Sequence, residues 1–126
     1  MNMAVQTPRT GDQQIEDEIQ RKGKTAPRVT PADIEAVIVS EHYFTAADGL
    51  VGNVDAEASE EDLKALDLLT FCVLVLKNGF TVTGESACAS PENFDAEIGR
   101  KIARQNAVQK IWPLEGYLLK QRLSEA

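Results

Sequence analysis

The side chains best placed to do chemistry are basic and amide groups recurring at helical spacing between residues 93 and 109. Arg100 and Arg104 stand one turn apart, Lys101 and Gln105 form the neighbouring pair, and Asn106 and Gln109 add amide donors and acceptors. Such a set suits an anion, because a guanidinium fork makes two parallel hydrogen bonds to a phosphate. A helix N-terminus near Asn93 would add unpaired N–H groups. The expected ligand-binding residues are therefore Asn93, Arg100, Lys101, Arg104, Gln105 and Asn106. Asp95 and Glu97 lie within pairing distance along the same helix, so an ion-paired, solvated face is the competing expectation.

The other reactive residue types form no recognisable constellation. His42 is the chain's one histidine, and spacing identifies neither a nucleophile nor an orienting carboxylate for it, so a helix-end histidine or an aromatic-side packing residue is expected. Gly84-Glu85-Ser86-Ala87-Cys88 lacks the second glycine of a nucleophile elbow and reads as a strand end. Gly79, Gly84 and Gly99 make no phosphate loop. The acids from Asp55 to Asp67 lack calcium-loop spacing and read as a solvated face. Cys72 and Cys88 do not supply the four ligands of a zinc site and read as small buried hydrophobes, unbridged in a reducing compartment. No catalytic residue, metal or cofactor is expected. Trp112, Tyr117 and Phe94 could offer stacking platforms, but core packing explains such aromatics more often.

The elements that must position these residues are legible in outline. Thr30-Pro31-Ala32-Asp33 is a cap-and-proline helix start, and Ile34, Val37, Ile38 and Glu41 extend helical spacing to about Tyr43. Thr45 to Gly49 is expected to end that helix, and Ser59 to Leu66 to form a short second one. The apolar run Leu68–Leu76, the Asn78-Gly79 pair and the alternating Phe80-Thr81-Val82-Thr83 predict a β-hairpin with a type I′ turn. In it Phe80 and Val82 would face the core. Ser90-Pro91 predicts a helix from Pro91 to about Lys110, and Pro113 a kink before a last helix over Leu114–Ser124. The fold class is α+β: a small antiparallel sheet packed with helices, ending in a bent helix or helical hairpin.

Length and charge set bounds. The 126 residues suggest a loose N-terminal segment, 1–28, and one domain over 29–126; a short helix from about Asp12 to Arg21 is the alternative for the first segment. A core that small makes self-association an expectation. No apolar run is long enough to span a bilayer, and the polar start has no secretory signal, so no membrane partner and a cytoplasmic location are expected. The net charge of −7 argues against a nucleic-acid polymer as partner. Its distribution is uneven: residues 1–94 carry 7 basic and 16 acidic side chains, residues 95–126 carry 6 and 4.

Phe80-Thr81-Val82-Thr83-Gly84-Glu85-Ser86, Pro91-Glu92-Asn93-Phe94-Asp95, Ile98-Gly99-Arg100-Lys101-Ile102-Ala103 and Leu114-Glu115-Gly116-Tyr117-Leu118-Leu119 go together with Ala107, Trp112 and the upstream Tyr43–Gly49 block. This combination resembles the tailed-phage and prophage family named after gene products forty-nine and sixty-six of two enterobacterial phages. The resemblance covers roughly residues 30–123. It implies an accessory viral protein of the host cytoplasm and carries over no catalytic residues. Two non-enzymatic roles follow as expectations. One is sequestration of a small anionic ligand, such as a cyclic nucleotide immune signal, by an anti-defence protein; the other is docking on a host or phage protein complex through Leu118, Leu119 and Leu123.

Overall fold

Short elements succeed one another along residues 11–126, the part of the chain described by the computed structural model. They are α1 (Gly11–Arg21), α2 (Pro31–Val37), β1 (Ile38–Thr45), α3 (Ala46–Val51), α4 (Glu60–Leu66), β2 (Leu69–Leu76) and β3 (Thr81–Ala87). A 3-10 turn (Pro91–Asn93), α5 (Ala96–Gln109) and α6 (Ile111–Glu125) complete the series. They divide into two compact units, Ile38–Lys110 and residues 11–37 with Ile111–Ala126.

In the Ile38–Lys110 unit the three strands form an antiparallel meander in the order β1-β2-β3. Alternation along β2 sends Thr70, Cys72, Leu74 and Leu76 into the core, while Phe71, Val73 and Val75 stay half-buried on the other face. Helix α5 packs on the core face through Gly99, Ala103 and Ala107, three small residues at four-residue steps. Opposite them is Gly84 of β3, where a Cβ would lie 2.2 Å from the Ala103 carbonyl oxygen and 2.3 Å from the Ala107 nitrogen. Helix and strand backbones therefore touch, which only glycine permits. On the far face Phe44 stacks on Phe71 with ring centroids 5.6 Å apart.

The unit of residues 11–37 and 111–126 is helical. Arg28 grips Glu16 of α1 with both guanidinium nitrogens, the Nη2 bond being 2.6 Å. Trp112 Nε1 of α6 donates to Asp12 Oδ2 of α1 at 3.2 Å. Ile34 and Ile111 are fully buried. The segment expected to be loose is thus helical over Gly11–Arg21, with polar ties making up for its thin apolar stripe; residues 1–10 of that segment lie outside the described residues.

Several boundaries differ from expectation. The helix from Pro31 stops at Val37, and Ile38–Thr45 is a strand, because its β-branched and aromatic content meets an available β2 edge. Thr45 begins a helix rather than ending one: its Oγ1 accepts from Asp48 N–H and Asp48 returns the bond to Thr45 N–H. Ser59 and Asp62 start α4 by the same capping box, as the sequence predicts. The hairpin has a three-residue loop, Lys77-Asn78-Gly79, in which Gly79 (φ 88°) is the only residue at positive φ. Leu76 O accepts from Gly79 N–H and Phe80 O from Leu76 N–H. This is a turn followed by a glycine bulge, not the type I′ form. Phe80 sits at its end, 56% exposed, whereas Val82 is buried as expected. Asp95, not Ser90, caps the long helix, its carboxylate accepting from Ile98 N–H at 3.0 Å. The break expected at Pro113 falls at Lys110, which places Pro113 in the first turn of α6, where no N–H is required.

Candidate functional site

The hydrogen bonds across the hairpin fix which backbone groups face outward. Leu76 pairs with Phe80 and Cys88 N–H donates to Leu68 O, so even-numbered residues of β2 and β3 exchange bonds. The N–H and C=O groups of Thr81, Thr83 and Glu85 therefore point away from β2 along the free side of β3. On β1, Ser40, His42 and Phe44 oppose the odd residues of β2. Glu41, Tyr43 and Thr45 turn their backbone groups to the free side of β1.

The polar residues of α5 reach these two edges. Arg104 Nε donates to Glu41 Oε2 of β1 at 2.9 Å, and Tyr43 Oη donates to Glu41 Oε1 at 3.0 Å. On the opposite flank Asn106 Nδ2 donates to the outward Glu85 carbonyl of β3 at 2.8 Å. Lys110 Nζ comes within 3.5 Å of Thr83 Oγ1. Lys101 is spent closer to home, 3.4 Å from Glu97 one turn earlier. The helix thus holds the sheet by side chains thrown to both edges, with the small-residue stripe between them.

Electrostatics follow from this arrangement. Burial pushes the Glu41 carboxyl up, but the hydrogen bonds and charge of Arg104, with the Tyr43 hydroxyl, outweigh it and the net shift is downward. Burial raises the Tyr43 phenol, and Cys72 and Glu41 raise it further. Burial likewise raises the thiol of Cys72, which is free and fully enclosed.

The six residues expected to bind a ligand are not gathered into one site. Arg100, Lys101 and Arg104 follow one flank of α5, at 100° per residue. Asn106 lies on the opposite flank, and exposed Gln105 between them on the outer side. Asn93 belongs to the 3-10 turn, its N–H donating to Ser90 O. The N-terminus of α5 is occupied by the Asp95 carboxylate, which satisfies the N–H and opposes an incoming anion. Glu41 and Tyr43 lie where helical spacing predicts a helix; the β-branched and aromatic run around them is the signal of the strand that forms. Gly99, Ala103 and Ala107 carried a readable sign of close backbone approach. Among the described residues no three of His, Cys, Asp and Glu come together as a metal-ligating group, and no helix is long and apolar enough to cross a membrane.

Outside α5, helix α6 exposes Leu114, Tyr117 and Leu118, the last two at 73% and 47%. Their i, i+3, i+4 spacing makes one apolar ridge. Leu123 is also exposed, while Leu119 is half-buried.

No curated protein and no solved structure matches the chain. A family model does, over residues 29–123, which takes in the whole sheet, α5 and all but the end of α6. The chain belongs to the Phage protein (N4 Gp49/phage Sf6 gene 66) family.

Proposed function

We propose that this phage protein acts by binding, as a non-enzymatic accessory module that docks on a protein of the host or of the phage. The observation that carries this is the ridge of Leu114, Tyr117 and Leu118 on α6. Amphipathic helices engage protein grooves through anchors at this spacing, and Tyr is among the side chains that dominate such contacts. The partner is accordingly a protein with an apolar, helix-sized groove.

The test compares the wild-type protein with Tyr117→Ala and Leu118→Asp, both exposed positions, expressed with a tag during infection. A partner that the wild type captures, that both variants lose, and that rebinds the purified wild type supports the docking role. Equal capture by all three proteins, or none by the wild type, refutes it.

A second role, sequestration of a small anionic ligand such as a cyclic nucleotide immune signal, draws on the Arg100, Lys101 and Arg104 flank. Glu41 and Glu97 already engage two of these three cations, so the docking role is the better supported. Calorimetry against cyclic di- and trinucleotides separates the two. Saturable heat that disappears in Arg100→Ala would favour sequestration in an anti-defence role.

A further inference from the structure

The two edges of the sheet are treated differently. Unpaired strand edges are sites of association unless something blocks them, most often a lysine, a bulge or a covering side chain. On β3, Asn106 occupies the place of an incoming N–H at the Glu85 carbonyl, and Lys110 reaches Thr83. On β1 the blocking devices among the described residues stand at the ends. Val39 is bulged out between Ile38 and Ser40, and Thr45 N–H is taken by Asp48 Oδ2. Between them the register is regular, and the N–H and C=O groups of Glu41 and Tyr43 face away from β2, with no strand among the described residues paired to them.

This window is self-complementary. From these observations we infer that a second copy of the chain pairs with β1, antiparallel, about a two-fold axis through His42. In that register Glu41 opposes Tyr43 of the second copy and Tyr43 opposes its Glu41, so four outward backbone bonds form with no group left over. His42 meets its own copy as the non-hydrogen-bonded pair at the axis. Its ring lies on the face away from α5 and is exposed, hydrogen-bonded at 3.2 Å to Ser40 Oγ. Each Glu41 brings its own counter-charge in Arg104, so the approach of two acidic chains does not set bare carboxylates against each other. The result is a six-stranded sheet continuous across the axis, closing the edge that the described residues leave open.

Cysteine trapping tests the register. In a non-hydrogen-bonded antiparallel pair the Cα atoms lie about 4.5 Å apart, inside the range a disulfide spans. In a Cys88→Ser background, which leaves only the buried Cys72, His42→Cys forms a disulfide-linked dimer on mild oxidation. Ser40→Cys does not, because Ser40 would face Phe44 of the second copy; a mixture of Ser40→Cys and Phe44→Cys gives the mixed dimer. Sedimentation of the wild type shows a dimer in the micromolar range. His42→Lys sets two like charges at the axis without touching the core, and it sediments as a monomer with unchanged circular dichroism. A wild type that stays monomeric across that range overturns the proposal. So does a dimer in which His42→Cys and Ser40→Cys oxidise equally.

Discussion

Gly84→Ala is the sharpest probe of how α5 sits on the sheet. The added methyl carbon would lie 2.2 Å from Ala103 O, 2.3 Å from Ala107 N and 2.9 Å from Ala107 Cα. All three are backbone atoms, so no rotamer change relieves the clash. Restoring ordinary contact lifts the helix by about 1 Å, and a gap of that size forfeits a quarter to a half of each dispersion contact along the stripe. Overpacking a core costs about 1–3 kcal/mol where side chains can yield. Here none can, and the expected loss is at the top of that range, about 3 kcal/mol out of the roughly 5–15 kcal/mol of a natural domain. For a unit of this size that lowers Tm by about 12–24 °C. Thermal unfolding followed by circular dichroism reads it directly. Gly116→Ala is the paired control: it meets nothing within 4 Å, sits inside α6 and should raise stability by about 0.5–1 kcal/mol. A Gly84→Ala protein melting within about 3 °C of wild type would refute the close packing of α5 against β3.

Three further outcomes follow from the same contacts. Asp95→Ala removes the N-cap of α5 and should cost about 1 kcal/mol in denaturant unfolding, with Asp95→Asn close to wild type. Glu41 has a folded-state pKa below its unfolded one, so its pairing with Arg104 contributes in full above the unfolded value and is lost as pH falls through the folded one. Glu16 behaves alike over a wider window, from its ordinary 4.5 down to about 2, through its hydrogen bond to Arg28. Glu41→Gln and Glu16→Gln should each flatten the fall of Tm between neutral and acid pH, and an unchanged slope in both variants would count against these pairings. Asn106→Ala uncovers the Glu85 carbonyl on β3 and should raise concentration-dependent light scattering on mild heating relative to wild type.

What was legible in the sequence depended on whether a signal was local. Ser59 with Asp62 specifies a helix start within four residues, and Leu68–Leu76 followed by Asn78-Gly79 specifies a hairpin. Both are present. Ile38–Thr45 failed because its identity depends on a partner strand some thirty residues away: Ile34, Val37, Ile38 and Glu41 satisfy helical spacing, and only the β2 edge decides against it. Phe80 failed because the loop has three residues instead of two, and α5, which ends at Gln109, does not extend cover to the turn. The expected ligand-binding residues lie apart for a different reason. Arg104 and Asn106 are two residues apart, and 200° of helical rotation sends them to opposite edges of the sheet. Proximity in sequence stood in for proximity in space.

That rotation also explains why α5 is so polar for a helix that covers a core. A helix lying on glycine through glycine and alanine gains little from each buried side chain, since Ala103 and Ala107 offer a single methyl apiece. Its hold on the sheet must come in part from elsewhere, and Arg104, Asn106 and Lys110 supply it from the rim, where their partners are a carboxylate, an edge carbonyl and a threonine hydroxyl. Arg104 is thereby drawn into the fold on the β1 side, where no strand among the described residues pairs with the backbone edge. A charged pair that is neutral overall, set beside an open edge, is compatible with a strand arriving there. A lysine reaching over an edge, as on β3, is not. The distribution of polar residues along one helix thus decides which edge of the sheet can be shared.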